Sequence, residues 1–146
     1  MPACYKNLGV AFDYPENWIV REEETVAWPR QVSLQSSDTS FWMLQIHHQE
    51  NPRELAALSL KTMKDEYEEL EAEPVTERIE DVEVVGFDMD FYCLDFLIVA
   101  KTRSMELGNL SLLVMYQGED RDFGRLEPVF HAITVSLLRH AKLNPQ

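Results

Sequence analysis

Two aspartates are the side chains in this sequence best spaced for chemistry. Asp88 and Asp90, in "FDMDF", lie on one face of a predicted strand, roughly 7 Å apart, because side chains alternate along a strand. Two carboxylates at that separation can perform general acid–base catalysis or bind a hard cation. No further acidic cluster and no nearby histidine completes such a site. An exposed acidic strand end or a partner contact is therefore preferred to catalysis.

The adjacent histidines His47 and His48 raise the question of a metal site. They fall on a predicted strand, so their rings point to opposite faces and cannot chelate one ion together. No cysteine or histidine lies near them at a ligand spacing. The sequence predicts no metal ligand here.

Motifs for covalent catalysis and for phosphate binding are missing. There is no Gly-x-Ser-x-Gly turn, and the five glycines are dispersed. Cys93 falls in a predicted core strand and Cys4 in a predicted amino-terminal tail. Two cysteines do not make a disulfide framework, which favours a reducing, cytoplasmic setting. We expect a protein that is not an enzyme and that needs no cofactor.

An acidic run, "KDEYEELEAE", is the most distinctive polar feature. It is predicted to crowd the carboxyl end of the first helix, where the helix dipole makes each anion unfavourable by about 0.3–1 kcal/mol. The run is either a solvated face or a docking surface for a basic partner, with Glu66, Glu69 and Glu73 as candidate contacts. Trp28, beside a proline, is a candidate aromatic anchor that could equally fold back onto the core.

The charge balance narrows the class of partner. The chain has 26 acidic and 13 basic residues, for a net charge of −13. Scattered lysines and arginines disfavour nucleic acid and anionic membranes. The negative field would instead steer a basic protein towards this one, less strongly as salt rises.

The elements that position these residues follow from periodicity. A first helix is predicted from an Asn51 cap and Pro52 to Glu73-Pro74, and one long strand from Phe87 to Arg103 after a bend at Gly86. That strand is expected to be buried on both faces from Leu94 to Val99. A second helix follows the charged 118–122 loop, with Pro128 in its first turn, and residues 140–146 form a tail.

Together these elements predict an α+β protein. About seven mostly antiparallel strands and two helices far apart in sequence make a three-layer α/β/α sandwich with a sheet of six to seven strands. The 146 residues form one domain, 1–146, with an ordered core over about 8–138. No run is long enough to span a membrane, and the start does not resemble a signal peptide.

The stretch "FDYPENWIV" links the chain to a known family. Phe12, Tyr14 and Trp18 are interpreted as core residues around a proline turn. Together with the lone helix, the Gly86 bend before a long hairpin and the final "ITVSLL" helix, this turn resembles the PsbP-like superfamily over about Leu8 to Leu138. That superfamily includes the PsbP subunit of photosystem II, the Ran-binding protein Mog and many bacterial proteins.

The resemblance implies a compact α/β/α sandwich and non-enzymatic work through protein contacts, which in some bacterial relatives is chaperone activity. It implies no individual functional residue for this chain. We therefore expect a monomer or weak dimer that acts as a binding or adaptor module, including a chaperone-like role, with a basic protein partner. The alternative is a small-ligand or metal-binding protein with a cleft at the sheet edge.

Overall fold

The computed structural model describes residues 2–23, 28–36 and 38–143. Within them the chain forms nine strands and two helices. In chain order these are β1 Pro2–Asn7, β2 Val10–Pro15, β3 Ile19–Glu23, β4 Arg30–Gln35, β5 Phe41–His48, α1 Pro52–Glu66, β6 Glu71–Ile79, β7 Val82–Cys93, β8 Phe96–Leu107, β9 Leu110–Glu119 and α2 Asp120–Leu143.

Seven of the strands form one antiparallel sheet. Its order is β3-β4-β5-β9-β8-β7-β6, and β1 and β2 pair separately as a hairpin. This arrangement confirms the predicted α+β class and the sheet of six to seven strands.

The two helices cover opposite faces of the sheet. Strand β9 shows this directly: Met115 packs in a cluster with Leu60 and Met63 of α1, while its neighbours Val114 and Tyr116 pack in the cluster that holds α2. Helix α1 packs on β7, β8 and β9, and α2 on β8, β9 and the first hairpin. Neither described helix is long and apolar enough to span a membrane.

The stretch from Phe12 to Trp18 contributes to the core, as predicted. Phe12 is fully buried with its ring 4.9 Å from that of Trp42, and Trp18 packs edge-on against Phe130 of α2. The backbone N–H of Trp18 donates to the carbonyl oxygen of Pro15 and closes the turn. The first hairpin and α2 thus form one layer over the same face of the sheet.

The predicted end of α1 is wrong. The helix ends at Glu66, and Tyr67 is already extended, because its ring stacks on Phe91 of β7 at 4.2 Å. Glu71 and Glu73 lie in β6 instead. Pro74 is tolerated there because β6 is an edge strand. The acidic run is therefore spread over a helix end, a turn and a strand, and the dipole argument applies only to its first residues.

The predicted long strand is two strands. The chain turns at Leu94, which adopts a positive φ of 51° and is 87% exposed, so burial of both faces from Leu94 to Val99 is also wrong. Gly86 does not bend the chain but lies within β7, where a Cβ would meet the carbonyl oxygen of Thr102 at 1.8 Å. The sequence alone does not show this close approach.

Among the described residues, regular secondary structure extends closer to both ends of the chain than predicted. Cys4 lies in β1 rather than in a tail, and α2 continues through His140 to Leu143. Helix α2 also begins at Asp120, inside the predicted charged loop, because acidic side chains suit a helix amino terminus. Pro128 therefore lies inside the helix and not in its first turn.

Candidate partner-binding surface

Three of the predicted partner contacts meet on one corner of the sheet. In the register of β6 and β7, Glu73 lies opposite Asp88 and Glu71 opposite Asp90. Paired residues of neighbouring strands share a face, so these four carboxylates and that of Glu77 lie together. We call these five residues the acidic corner. It lies on the face that α2 covers, but α2 packs on β8 and β9 and leaves this end of β6 and β7 open.

A buried arginine lies at the base of the acidic corner. Arg103 of β8 is 4% exposed, and its guanidinium donates to Asp88 at 2.8 Å and to Glu77 at 3.1 Å. Burial would lower the pKa of Arg103, but Tyr116, Asp88 and Glu77 outweigh that effect and raise it. Burial likewise raises the pKa of Tyr116 to about 12, although Arg103 opposes that rise.

The second cation near the acidic corner also faces inward. The ammonium of Lys101 pairs with Glu127 of α2, lies 3.9 Å from Asp88 and approaches the ring of Phe123. Both basic side chains are thus directed to Asp88, Glu77 and α2. Within the described part of the chain, Glu71, Glu73 and Asp90 are exposed and make no ion pair. Their charges face solvent.

An exposed apolar turn adjoins the acidic corner. The β7–β8 turn presents Tyr92, Leu94 and Phe96, which are 65%, 87% and 50% exposed. We call these three residues the hairpin tip. Tyr92 lies two residues beyond Asp90 on the same strand face. Phe96 lies opposite Cys93 and therefore on the α1 face, so Tyr92 and the turn residue Leu94 are the apolar neighbours of the acidic corner.

The other predicted contacts lie elsewhere. Glu66 ends α1, on the opposite face of the sheet, and Glu69 lies in the turn before β6. Trp28 precedes β4, in the other half of the sheet. It is 41% exposed, stacks on His48, and carries the Arg30 guanidinium over its ring at 4.4 Å. Trp28 thus stays partly open but is remote from the acidic corner.

The two histidines make separate side-chain contacts. His48 stacks on Trp28, while Nε2 of His47 lies 3.2 Å from the side-chain oxygen of Gln45. Burial lowers the pKa of His47, so its ring is disposed to be neutral.

Two grooves border the first hairpin. One, of about 970 Å³, lies between the Tyr14–Asn17 turn and the outer side of α2, and another, of about 490 Å³, lies between β1, the β8–β9 turn and the end of α2. Neither coincides with the cleft at the sheet edge that the alternative hypothesis assumed.

The first groove borders a cluster that sequence reasoning missed. Cys4, Asp13 and His140 place their ligand atoms within 4.8 Å of one another. Burial and the neighbouring Asp13 carboxylate raise the pKa of the Cys4 thiol, and the imidazole of His140 contacts Asp13. This is the wrong arrangement for a cysteine nucleophile, which needs a lowered pKa and a histidine base.

Comparison with known proteins finds similar structures but no matching sequence family. No protein-family model and no curated protein matches this sequence. The cyanobacterial PsbP protein CyanoP of Synechocystis superposes with a TM-score of 0.68 at 11% identity, over 92% of this chain and 90% of that one. The chain has a PsbP-like fold.

Two further proteins share the PsbP-like fold. The protein of unknown function PA94 from Pseudomonas aeruginosa matches with a TM-score of 0.56 at 10% identity, over 93% of this chain and 95% of that one. LpqN of Mycobacterium tuberculosis, which is involved in cell envelope biogenesis, matches with a TM-score of 0.60 at 10% identity, over 91% and 86%. These likenesses confirm the fold that the sequence resemblance predicted.

The PsbP-like fold brings together residues that are far apart in the sequence. Glu71 and Asp90 are 19 positions apart and become neighbours only through the register of the β6–β7 hairpin. The Glu80-Asp81 turn between two strands was the available signal for that hairpin. Cys4 and His140 lie at opposite ends of the chain, and no local pattern connects them.

Proposed function

We propose that this PsbP-like protein is a non-enzymatic binding module that holds a basic protein segment on the acidic corner and the hairpin tip. The observation that carries the proposal is the open acidic corner itself, where carboxylates face each other across two strands without a covering helix. The chaperone-like role implied by the family resemblance would be one form of this activity.

The like-charge pairs favour a basic partner at the acidic corner. Glu73 faces Asp88 and Glu71 faces Asp90 across the ladder. Like charges directly opposite each other are destabilising, by up to about 1 kcal/mol for each pair. The buried guanidinium of Arg103 balances the charge of Asp88. The carboxylates of Glu71, Glu73 and Asp90 face solvent. Lysine or arginine side chains of a partner would remove this repulsion.

The hairpin tip supplies the apolar part of the proposed contact. Scattered exposed apolar residues are ordinary, but Tyr92, Leu94 and Phe96 are all exposed within five residues of one hairpin. Tyrosine and tryptophan are enriched among the residues that dominate the binding energy of protein interfaces. The preferred partner segment therefore carries an apolar residue between basic ones.

The partner is recognised through side chains rather than by adding a strand. Strand β6 is an edge of the sheet and could in principle pair with an added strand. Pro74 lacks a backbone N–H in the middle of that edge, and the acidic residues beside it discourage strand addition. The acidic face of β6 and β7 is the more suitable surface.

The test is a set of binding measurements with defined probes. Synthetic peptides with one central leucine or phenylalanine flanked by lysines and arginines are titrated against the wild type and against the variant Glu71→Gln, Glu73→Gln, Asp90→Asn. We expect the variant to bind at least about tenfold more weakly at low salt. The difference should shrink in high salt, because exposed charges are screened.

A matched control removes the same charge elsewhere. The variant Glu16→Gln, Glu50→Gln, Glu106→Gln changes three exposed acids outside the acidic corner. It should bind like the wild type. Equal weakening in both variants would show that only net charge matters, and binding that is insensitive to both would overturn the acidic corner as the site. A Tyr92→Ser, Leu94→Ser variant tests the part of the hairpin tip that adjoins the acidic corner and should also weaken binding, but without a salt dependence.

A further inference from the structure

Three side chains with different metal-ligating atoms meet beside the first hairpin. Cys4 of β1 offers a sulfur, Asp13 of β2 a carboxylate oxygen and His140 of α2 an imidazole nitrogen, and these atoms lie within 4.8 Å of one another. Nε2 of His140 is 3.2 Å from Oδ1 of Asp13. No other such group of three occurs among the residues that the structure describes.

The fold holds the three residues in place. Cys4 lies directly opposite Asp13 in the register of β1 and β2. The backbone N–H of Asp13 donates to Oγ of Ser136 at 2.9 Å, one helical turn before His140. The hairpin and the helix are thus joined at the cluster, and the aromatic contact of Phe12 with Trp42 anchors the same hairpin in the core. All three ligands therefore lie within regular secondary structure.

We propose that Cys4, Asp13 and His140 bind a zinc-class divalent metal ion. Zinc takes thiolate, imidazole and carboxylate ligands at about 2.0–2.3 Å, so tetrahedral donors lie roughly 3–4 Å apart. The ligand atoms lie within 4.8 Å of one another, so they would approach by up to about 1–2 Å to reach that geometry. A thiolate and a carboxylate balance the charge of a divalent ion.

The donor set selects the class of ion. Calcium and magnesium prefer six or more oxygen ligands, which this cluster does not offer. A mixed sulfur, nitrogen and oxygen set suits zinc and related transition metals. Three protein ligands leave a fourth position open. Cys4 and Asp13 are exposed, and Asp13 and His140 line the groove of about 970 Å³, so water or a small ligand can reach that position.

The competing explanation is an ordinary ion pair between Asp13 and His140 with a thiol nearby. Zinc titration of the tag-free protein by calorimetry separates the two, with cobalt(II) absorption as a second readout. We expect one zinc ion per chain and, with cobalt, a thiolate-to-metal charge-transfer band. Cys4→Ser should abolish that band, and Cys4→Ser and His140→Gln should each weaken zinc binding at least about tenfold.

Matched controls use the same residue types outside the cluster. Cys93→Ser and His131→Gln should bind zinc like the wild type, as should the triple variant of the acidic corner. No saturable zinc binding, or equal binding by the wild type and Cys4→Ser, would overturn the site. Circular dichroism of each variant confirms that the fold is retained. Because the acidic corner is tested separately, failure of the metal site leaves the proposed function unaffected.

Discussion

At the scale of single residues, Arg103 decides which carboxylates of the acidic corner are free. The sequence places Asp88 and Asp90 on one strand face, and that placement is confirmed. It does not show that Asp88 is held by a buried guanidinium while Asp90 faces solvent, because Arg103 becomes a neighbour of Asp88 only through the pairing of β7 with β8. Long-range strand register is the information that a single sequence lacks.

Removing the guanidinium of Arg103 should therefore lower the stability of the fold. We expect Arg103→Met to lower the free energy of unfolding by about 1–3 kcal/mol, because Asp88 and Glu77 lose their partner while remaining partly solvated. Urea unfolding measures this change. The control Arg53→Met breaks an exposed pair with Glu83 and should change the stability by no more than about 0.5 kcal/mol. Equal effects in the two variants would contradict a special role for Arg103.

At the scale of elements, the sequence predicted the existence of both helices and the proline turn better than it predicted their limits. The cap at Asn51 is confirmed, since its side chain accepts from the N–H groups of Arg53 and Glu54. The predicted end of α1 was wrong because the apolar spacing continues through Tyr67 and Leu70, which pack in the cluster of Phe91 from the turn that follows the helix. An apolar periodicity indicates which residues are buried. Tertiary contacts then decide whether the backbone at those residues is helical.

Substitution of Gly86 tests the close approach of β7 to β8. Gly86→Ala should lower the free energy of unfolding by about 3 kcal/mol or more, because the new Cβ would meet a backbone carbonyl that cannot move alone. Gly124→Ala is the matched substitution in α2, where nothing lies within 4 Å of the new atom. It should raise the stability by about 0.5–1 kcal/mol. Thermal or urea unfolding compares them, and similar values for both would contradict the close approach at Gly86.

At the scale of the whole molecule, the two helices pack on opposite faces of the sheet and overlap on β8 and β9. Each leaves part of its face open. The open part beside α1, on β4 and β5, carries uncharged side chains and His47, among them Gln31, Ser33, Met43 and Gln45. The open part beside α2, on β6 and β7, carries the acidic corner. The composition predicted an acidic protein, but only the topology shows where the charge is concentrated.

The central claim is that a basic partner binds the acidic corner and the hairpin tip. The most direct test is a ¹⁵N–¹H correlation spectrum of the 17.0 kDa chain, titrated with the tightest-binding peptide of the basic panel. If the claim holds, the largest shifts fall over residues 71–77 and 88–97, with none over 31–33 and 43–47. Saturable shifts confined to 31–33 and 43–47 would contradict it.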